Sequence, residues 1–164
     1  MTKLIAVLAL FAVVLSVAAG TSTARTRDDA NIVQTAVGAG QFKTLAKLLT
    51  RASLVGSMQE AGPYTVFAPT DAAFKKVPKK TLNALLRNKA KLKAVLLYHV
   101  VSGRVTAADV AKLSTAKTLS GQTVRIRTSG MNVFVNSAKV TKADVTASNG
   151  VIHVINRVLI PPAR

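Results

Sequence analysis

Histidine and acidic side chains are the first residues to consider for chemistry, because the chain contains no cysteine. The histidines are His99 and His153, and neither lies in the H-E-x-x-H pattern of a zinc hydrolase. The chain also lacks a G-x-S-x-G nucleophile turn and a G-x-x-x-x-G-K phosphate loop. The segment Gly38-Ala39-Gly40 lacks the third glycine of a dinucleotide fingerprint, so we interpret it as a turn. The sequence therefore predicts a protein that is not an enzyme, with no metal site and no cofactor; a triad assembled only by folding is the alternative.

Basic residues dominate the charge of this chain. Its 164 residues include 23 Lys and Arg against 6 Asp and Glu, which gives a formal charge of +17. No acid occurs from Ala72 to Ala108, and the bases of this stretch are Lys75, Lys76, Lys79, Lys80, Arg87, Lys89, Lys91, Lys93 and Arg104. Such a field attracts polyanions, although a solvated surface without a specific ligand is the simpler interpretation.

The same composition bounds the partners. We expect an extracellular or envelope protein, or an anionic polysaccharide or other polymer, with peripheral contact to an anionic membrane surface as a further option. Nucleic acid is not expected, because the chain has no tryptophan and aromatic residues make up only 4% of it, which leaves little for base stacking.

The first residues have the pattern of an export signal. Lys3 precedes an apolar run from Leu4 to Ala19, and small residues follow up to Ala24. We predict a signal peptide over residues 1–24, a flexible leader over 25–30 and one domain over 31–162; cleavage after Ala18 or Ala19, and an uncleaved anchor, are alternatives. The protein is expected to be secreted or periplasmic and monomeric, without disulfides and without a cysteine for a lipid anchor.

Helical periodicity fills the first half. Phe42, Leu45, Ala46 and Leu49 recur at helical spacing and predict a helix over roughly 41 to 52, with a shorter helix before it around 31 to 37. The apolar stripes at 82–86 and 92–99 predict two helices or one broken helix. Thr106 to Asp109 resembles a capping box before one more short helix.

Strand patterns interrupt and follow these helices. The run 64–67 predicts a short strand ended by Pro69, after which Thr70 caps a helix that has Asp71 in its first turn. Residues 124–128 and 133–135 alternate around a Ser129-Gly130 turn, and the apolar run 151–160 predicts a central strand that is covered on both faces. These elements together predict an α+β domain.

Three segments also resemble a known family. They are Thr65 to Phe74 (TVFAPTDAAF), the pair Tyr98-His99, and Asn149 to Ile155 (NGVIHVI) continuing to Pro161. In this order and spacing they resemble the signatures of the fasciclin-like (FAS1) domain family, over about residues 29 to 162. The resemblance implies a wedge of antiparallel strands flanked by several short helices, in extracellular proteins associated with cell adhesion and matrix contacts.

The resemblance also implies roles for individual residues. In animal relatives the Tyr-His pair and an Asp followed by a branched aliphatic residue are implicated in integrin contact. The matching candidates here are Leu96, Leu97, Tyr98, His99, Asp144 and Val145, although the neighbours Lys142, Ala143 and Thr146 depart from the second pattern. The alternative is that these residues hold the fold, which is the role we expect for Thr70, Asp71, Asn149, Gly150 and His153.

We therefore expect a non-enzymatic adhesion or interaction module. Some fasciclin-like proteins carry a carotenoid or another apolar molecule, so a carrier of such a ligand is the first alternative. A structural subunit of an envelope complex is the second.

Overall fold

The computed structural model describes residues 30–60 and 62–162. The predicted signal peptide, residues 1–24, lies outside the described residues, and so does the predicted leader except for Ala30. Among the helices that the structure describes, none is long and apolar enough to cross a membrane.

Short helices make up most of the first half, as the periodicity predicts. They are α1 (Ile32–Gly38), α2 (Lys43–Arg51), α3 (Val55–Gln59), α4 (Asp71–Lys75), α5 (Lys79–Arg87), α6 (Lys89–Tyr98) and α7 (Ala107–Lys112). The stretch that could have been one broken helix is two, because the side chain of Asn88 accepts a hydrogen bond from the Lys91 amide and starts α6. The capping box predicted at Thr106 and Asp109 is present at the start of α7.

The strands form one seven-stranded sheet in the described part of the chain. They are β1 (Tyr64–Pro69), β2 (Val100–Ser102), β3 (Thr115–Lys117), β4 (Thr123–Ser129), β5 (Asn132–Val135), β6 (Ala138–Ala147) and β7 (Gly150–Ile155), in the spatial order β2-β1-β7-β6-β5-β4-β3. The predicted α+β class is confirmed. The sheet is mixed, however, and not wholly antiparallel, because β1 and β7 run parallel.

Strands β1 and β7 separate two apolar cores. Every residue of β7 is buried, as predicted for a central strand. Its Ile152 belongs to the core under the helices, whereas Ile155 belongs to the core enclosed by β3 to β6 and α7. In β1, Val66 belongs to the core under the helices and Phe67 to the other core. Successive side chains of a strand point to opposite faces, so two short strands support both cores.

One predicted strand end needs correction, and one long strand was not predicted. The last strand ends at Ile155 and does not run on to Ile160. At Asn156 the Lys139 amide donates to the side-chain Oδ1 at 2.9 Å, and not to the main-chain carbonyl that a continuing strand would offer. The ten-residue strand β6 was not predicted. Its apolar alternation is broken by two register shifts against β7, between Val140 and Val145.

Candidate interaction surface and its polar supports

Asp71 stabilises a helix other than its own. Thr70 caps α4 by accepting a hydrogen bond from the Ala73 amide at 3.2 Å. The Asp71 carboxylate accepts hydrogen bonds from the amides of Thr44 at 2.7 Å and Lys43 at 3.3 Å, in the first turn of α2, whose own N-cap residue provides no side-chain cap. Partial burial opposes ionisation, but these hydrogen bonds outweigh it and lower the pKa of Asp71. Asp71 therefore joins α4 to α2.

Asp144 likewise accepts a hydrogen bond from the first turn of a helix other than its own element, here α7. It lies at the register shift in β6 with a left-handed φ of 55°, and its Oδ1 accepts a hydrogen bond from the Ala107 amide at 2.8 Å. Val145, the next residue, is half-buried and packs against the helical core. The carboxylate thus meets the positive end of α7 across the fold.

His153 holds the main chain on both sides of this contact. Its Nδ1 accepts a hydrogen bond from the Asp144 amide at 3.3 Å, and its Nε2–H donates to the Val105 carbonyl at 2.8 Å. The ring stacks on Phe67 with centroids 5.6 Å apart. His153 is buried, and both of its ring nitrogens have hydrogen-bond partners within the fold.

Tyr98 and His99 are buried as well, each about 2% exposed. The Tyr98 hydroxyl donates to the Thr123 carbonyl at 3.1 Å and accepts from the side-chain Nδ2 of Asn136 at 3.0 Å. His99 Nδ1–H donates to the Val95 carbonyl at 2.8 Å, and its Nε2 accepts from the Leu159 amide at 2.9 Å.

This burial bears on the predicted binding segment. Leu96 is also buried and Leu97 is half-buried, whereas Asp144 is exposed. A partner does not reach the rings of Tyr98 and His99 in this fold, so any influence of the pair on binding passes through the strands and the tail that they hold. Contact of this segment with a partner stays a prediction.

Asn149 joins three segments. Its Nδ2 donates to the carbonyls of Met58 at 2.8 Å and Glu60 at 3.0 Å, and its Oδ1 accepts from the Ile32 amide at 2.9 Å. Gly150 follows where β7 meets β1, and a Cβ there would overlap the carbonyl oxygen of Tyr64. Asn149 and Gly150 therefore allow the close approach of α1, α3 and β1.

The eight predicted basic residues from Lys75 to Lys93 lie on the helical half, and all of them are exposed. Lys43, Lys47 and Arg51 of α2 are exposed too, at the four-residue spacing that places them along one side of a helix. We call these eleven residues the helical basic surface: Lys43, Lys47, Arg51, Lys75, Lys76, Lys79, Lys80, Arg87, Lys89, Lys91 and Lys93.

Some members of this surface also bridge its helices. Arg51 Nη2 donates to the Leu86 carbonyl at 3.1 Å, and Lys89 Nζ donates to the Ser53 hydroxyl at 2.9 Å. These contacts join the end of α2 to α5 and α6. The sequence prediction missed the three cations of α2, although their spacing in the sequence was a signal for them.

No cluster of three or more histidine or acidic residues that could hold a metal ion occurs in residues 30–60 and 62–162.

Comparison with known proteins identifies the family. The Fasciclin domain profile matches residues 40–161, so the chain belongs to the fasciclin domain family, and the resemblance of its three signatures is confirmed. The chain is 45% identical to protein sll1483 of Synechocystis over 143 residues, which are 86% of this chain and 79% of that protein. It is 44% identical to the Synechocystis protein sll1735 over 131 residues, covering 79% of this chain and 97% of that one.

A solved structure shows the same fold. It is a FAS1 domain pair from the insect cell adhesion molecule Fasciclin I, with a TM-score of 0.60, 20% identity, and coverage of 76% of this chain and 47% of that one.

Proposed function

We propose that this protein is an exported, non-enzymatic interaction module that binds an anionic polymer or acidic protein of a cell envelope or matrix through the helical basic surface. The observation that carries the proposal is the exposure of all eleven cations of that surface. The chain belongs to the fasciclin domain family, and the solved structure with the same fold comes from an insect cell adhesion molecule.

Charge is the property that favours an anionic partner. In residues 30–60 and 62–162, the carboxylate that hydrogen-bonds beside this surface is that of Asp71, and its oxygens already accept from the first turn of α2. The exposed cations therefore present a field that concentrates polyanions near the helices and speeds their association. Since these cations are exposed, salt screens them, and affinity has to fall as ionic strength rises.

A paired charge reversal tests this proposal. Lys91→Glu with Lys93→Glu changes two exposed residues of α6 whose ammonium groups make no hydrogen bond in the described part of the chain. Lys117→Glu with Lys142→Glu makes the same charge change on exposed positions of β3 and β6, and is the matched control. Binding of the mature chain to an immobilised polyuronate is measured from about 50 to 200 mM salt, a range over which screening increases.

The expected result is weaker binding and a shallower salt dependence for the α6 variant, with smaller changes for the control. Equal losses in both variants would show that only net charge matters, and binding that is insensitive to salt would remove the electrostatic proposal. Thermal unfolding of each variant checks the fold.

Export and the carrier alternative are tested on the same material. The proposal expects a mature chain that lacks residues 1–24 outside the cytoplasm, so a full-length chain retained inside the cell contradicts export. Purification from native cells with a bound pigment or lipid would favour the carrier.

A further inference from the structure

A cleft of about 380 Å³ lies where the α4–α5 connection, the β5–β6 turn and the segment after β7 meet. We call it the tail cleft; the lining residues that matter are Lys76, Val77, Ser137, Arg157, Val158 and Ile160. Its volume lies within the range of ligand pockets, which begins at about 300 Å³. The cleft shares Lys76 with the helical basic surface, so it is an extension of that surface into a concave site.

Two cations line the tail cleft. Lys76 Nζ donates to the Asn156 carbonyl at 3.3 Å, and an ammonium has two further N–H groups for another acceptor. The second cation, Arg157, follows Asn156 in the chain and is exposed. The main chain beside both cations is fixed, because Asn156 Oδ1 accepts from the Lys139 amide at 2.9 Å. Among the described residues, none that lines this cleft carries a side-chain carboxylate.

Apolar side chains form one wall of the cleft. Val77 and Val158 are half-buried, and Ile160 is 47% exposed. Covering the exposed half of an isoleucine side chain is worth roughly a fivefold gain in affinity. A ligand that carries only charge gains nothing from this wall.

The rim is held rigidly by Asn136. This residue has a left-handed φ of 54°; its Oδ1 accepts from the Arg125 amide at 2.9 Å and its Nδ2 donates to the Tyr98 hydroxyl at 3.0 Å. The side-chain amide of Asn136 is therefore occupied within the fold, whereas the neighbouring Ser137 lines the cleft and is exposed. These bonds fix the main chain on this side of the cleft, which lowers the cost of ordering the rim when a ligand binds.

We propose that the tail cleft binds an acidic side chain flanked by apolar residues, in an extended segment of a protein partner. The carboxylate lies between Lys76 and Arg157, and the apolar neighbour covers Val158 and Ile160. This proposal rests on the proposed function for the negative charge of the partner, and it narrows the partner to a protein, because a hydroxyl-rich polysaccharide does not match the apolar wall.

Two blocked pentapeptides test it. One has a single glutamate between two leucines, and the other has serines in place of the leucines, so their charge is equal. Each is titrated into the mature protein while the methyl resonances of Val158 and Ile160 are followed by NMR. The expected result is that the leucine peptide binds about fivefold more tightly and shifts both residues.

Variants separate the two parts of the site. Ile160→Ser removes the preference for the leucine peptide, whereas Arg157→Gln weakens both peptides and keeps the preference. Equal binding of the two peptides, or shifts confined to other residues, would overturn the proposal. Displacement of the leucine peptide from the cleft by a lower concentration of an oligouronate would also overturn it in favour of a sugar.

The result is independent of the polymer experiment. Lys91→Glu with Lys93→Glu is expected to weaken polyuronate binding and to leave the ratio of the two peptide affinities unchanged. If polyuronate binding proves insensitive to salt while the peptide preference persists, the proposed function fails and the tail cleft stands. If polyuronate binding weakens with salt but the two peptides bind equally, the proposal for the tail cleft fails and the proposed function stands.

Discussion

Lowering the pH should destabilise this protein through His99. Burial removes the imidazole from water and lowers its pKa from the ordinary 6.5 to about 4, against the opposing effect of the hydrogen bond to the Val95 carbonyl. The neutral ring donates from Nδ1 and accepts at Nε2 from the Leu159 amide. A proton on Nε2 would face that amide donor, so the folded state resists protonation.

The sign and size of the effect follow from linkage. Between pH 6.5 and about 4 the unfolded chain binds a proton that the folded chain does not, so the free energy of unfolding falls as the pH falls. The slope approaches 1.4 kcal/mol per pH unit, and the full loss is about 3 kcal/mol. Below about pH 4 His99 contributes no further loss, although Asp71 and Asp109, whose pKa values are lowered, then begin to lose their own contributions.

Urea unfolding measured at several pH values from 7 to 4.5 tests this. The control is His99→Gln, which keeps one donor and one acceptor and does not titrate. The wild-type protein should lose stability more steeply than the variant, and the difference between their slopes isolates His99 from every other group. Parallel slopes, or imidazole resonances of His99 that titrate near pH 6.5 in the folded protein, would refute the reasoning.

Two further predictions concern the effect of substituting Gly150 and Asp144 on stability. Gly150→Ala forces a Cβ against the Tyr64 carbonyl at the start of the β1–β7 pair, so it should cost about 3 kcal/mol or prevent folding, whereas Gly38→Ala, where a Cβ meets open space, should be nearly neutral in thermal unfolding. Asp144→Ala removes the acceptor of the Ala107 amide and should cost about 1 kcal/mol in urea unfolding, with Asp144→Asn costing less because its amide oxygen still accepts; equal losses for the two would contradict the capping role.

Local patterns identified the elements that depend on neighbours in sequence. The stripe that includes Leu92 and His99 predicted burial correctly, and the capping box at Thr106 was found from four residues. Partners distant in sequence were not predictable: Leu159, which donates to His99, is 60 residues away. The same limit explains Asp71, whose position in α4 was predicted but whose carboxylate bonds to α2, 27 residues earlier at Thr44.

Strand limits failed where a single side chain decides them. The apolar composition is similar on both sides of Asn156, yet β7 ends there because Asn156 bonds to Lys139. The binding prediction at Tyr98 and His99 came from resemblance, and only the fold shows that both rings are buried. The basic residues were easier to find, since exposure of Lys and Arg is the default for these side chains.

The placement of the acids explains why the surface is so uniformly positive. Three of the four carboxylates in the described residues accept hydrogen bonds at helix N-termini: Asp71 at α2, Asp144 at α7, and Asp109 within the capping box of α7. Helix N-termini carry partial positive charge and favour an anion there. The acids therefore serve the fold, and the cations remain without local neutralisation. Among the cations, Arg51, Lys76 and Lys89 also hydrogen-bond within the fold, whereas Lys91 and Lys93 are exposed. Reversing Lys91 and Lys93 should therefore change the affinity for an anionic partner with little change in unfolding, and removing Asp71 or Asp144 should do the opposite.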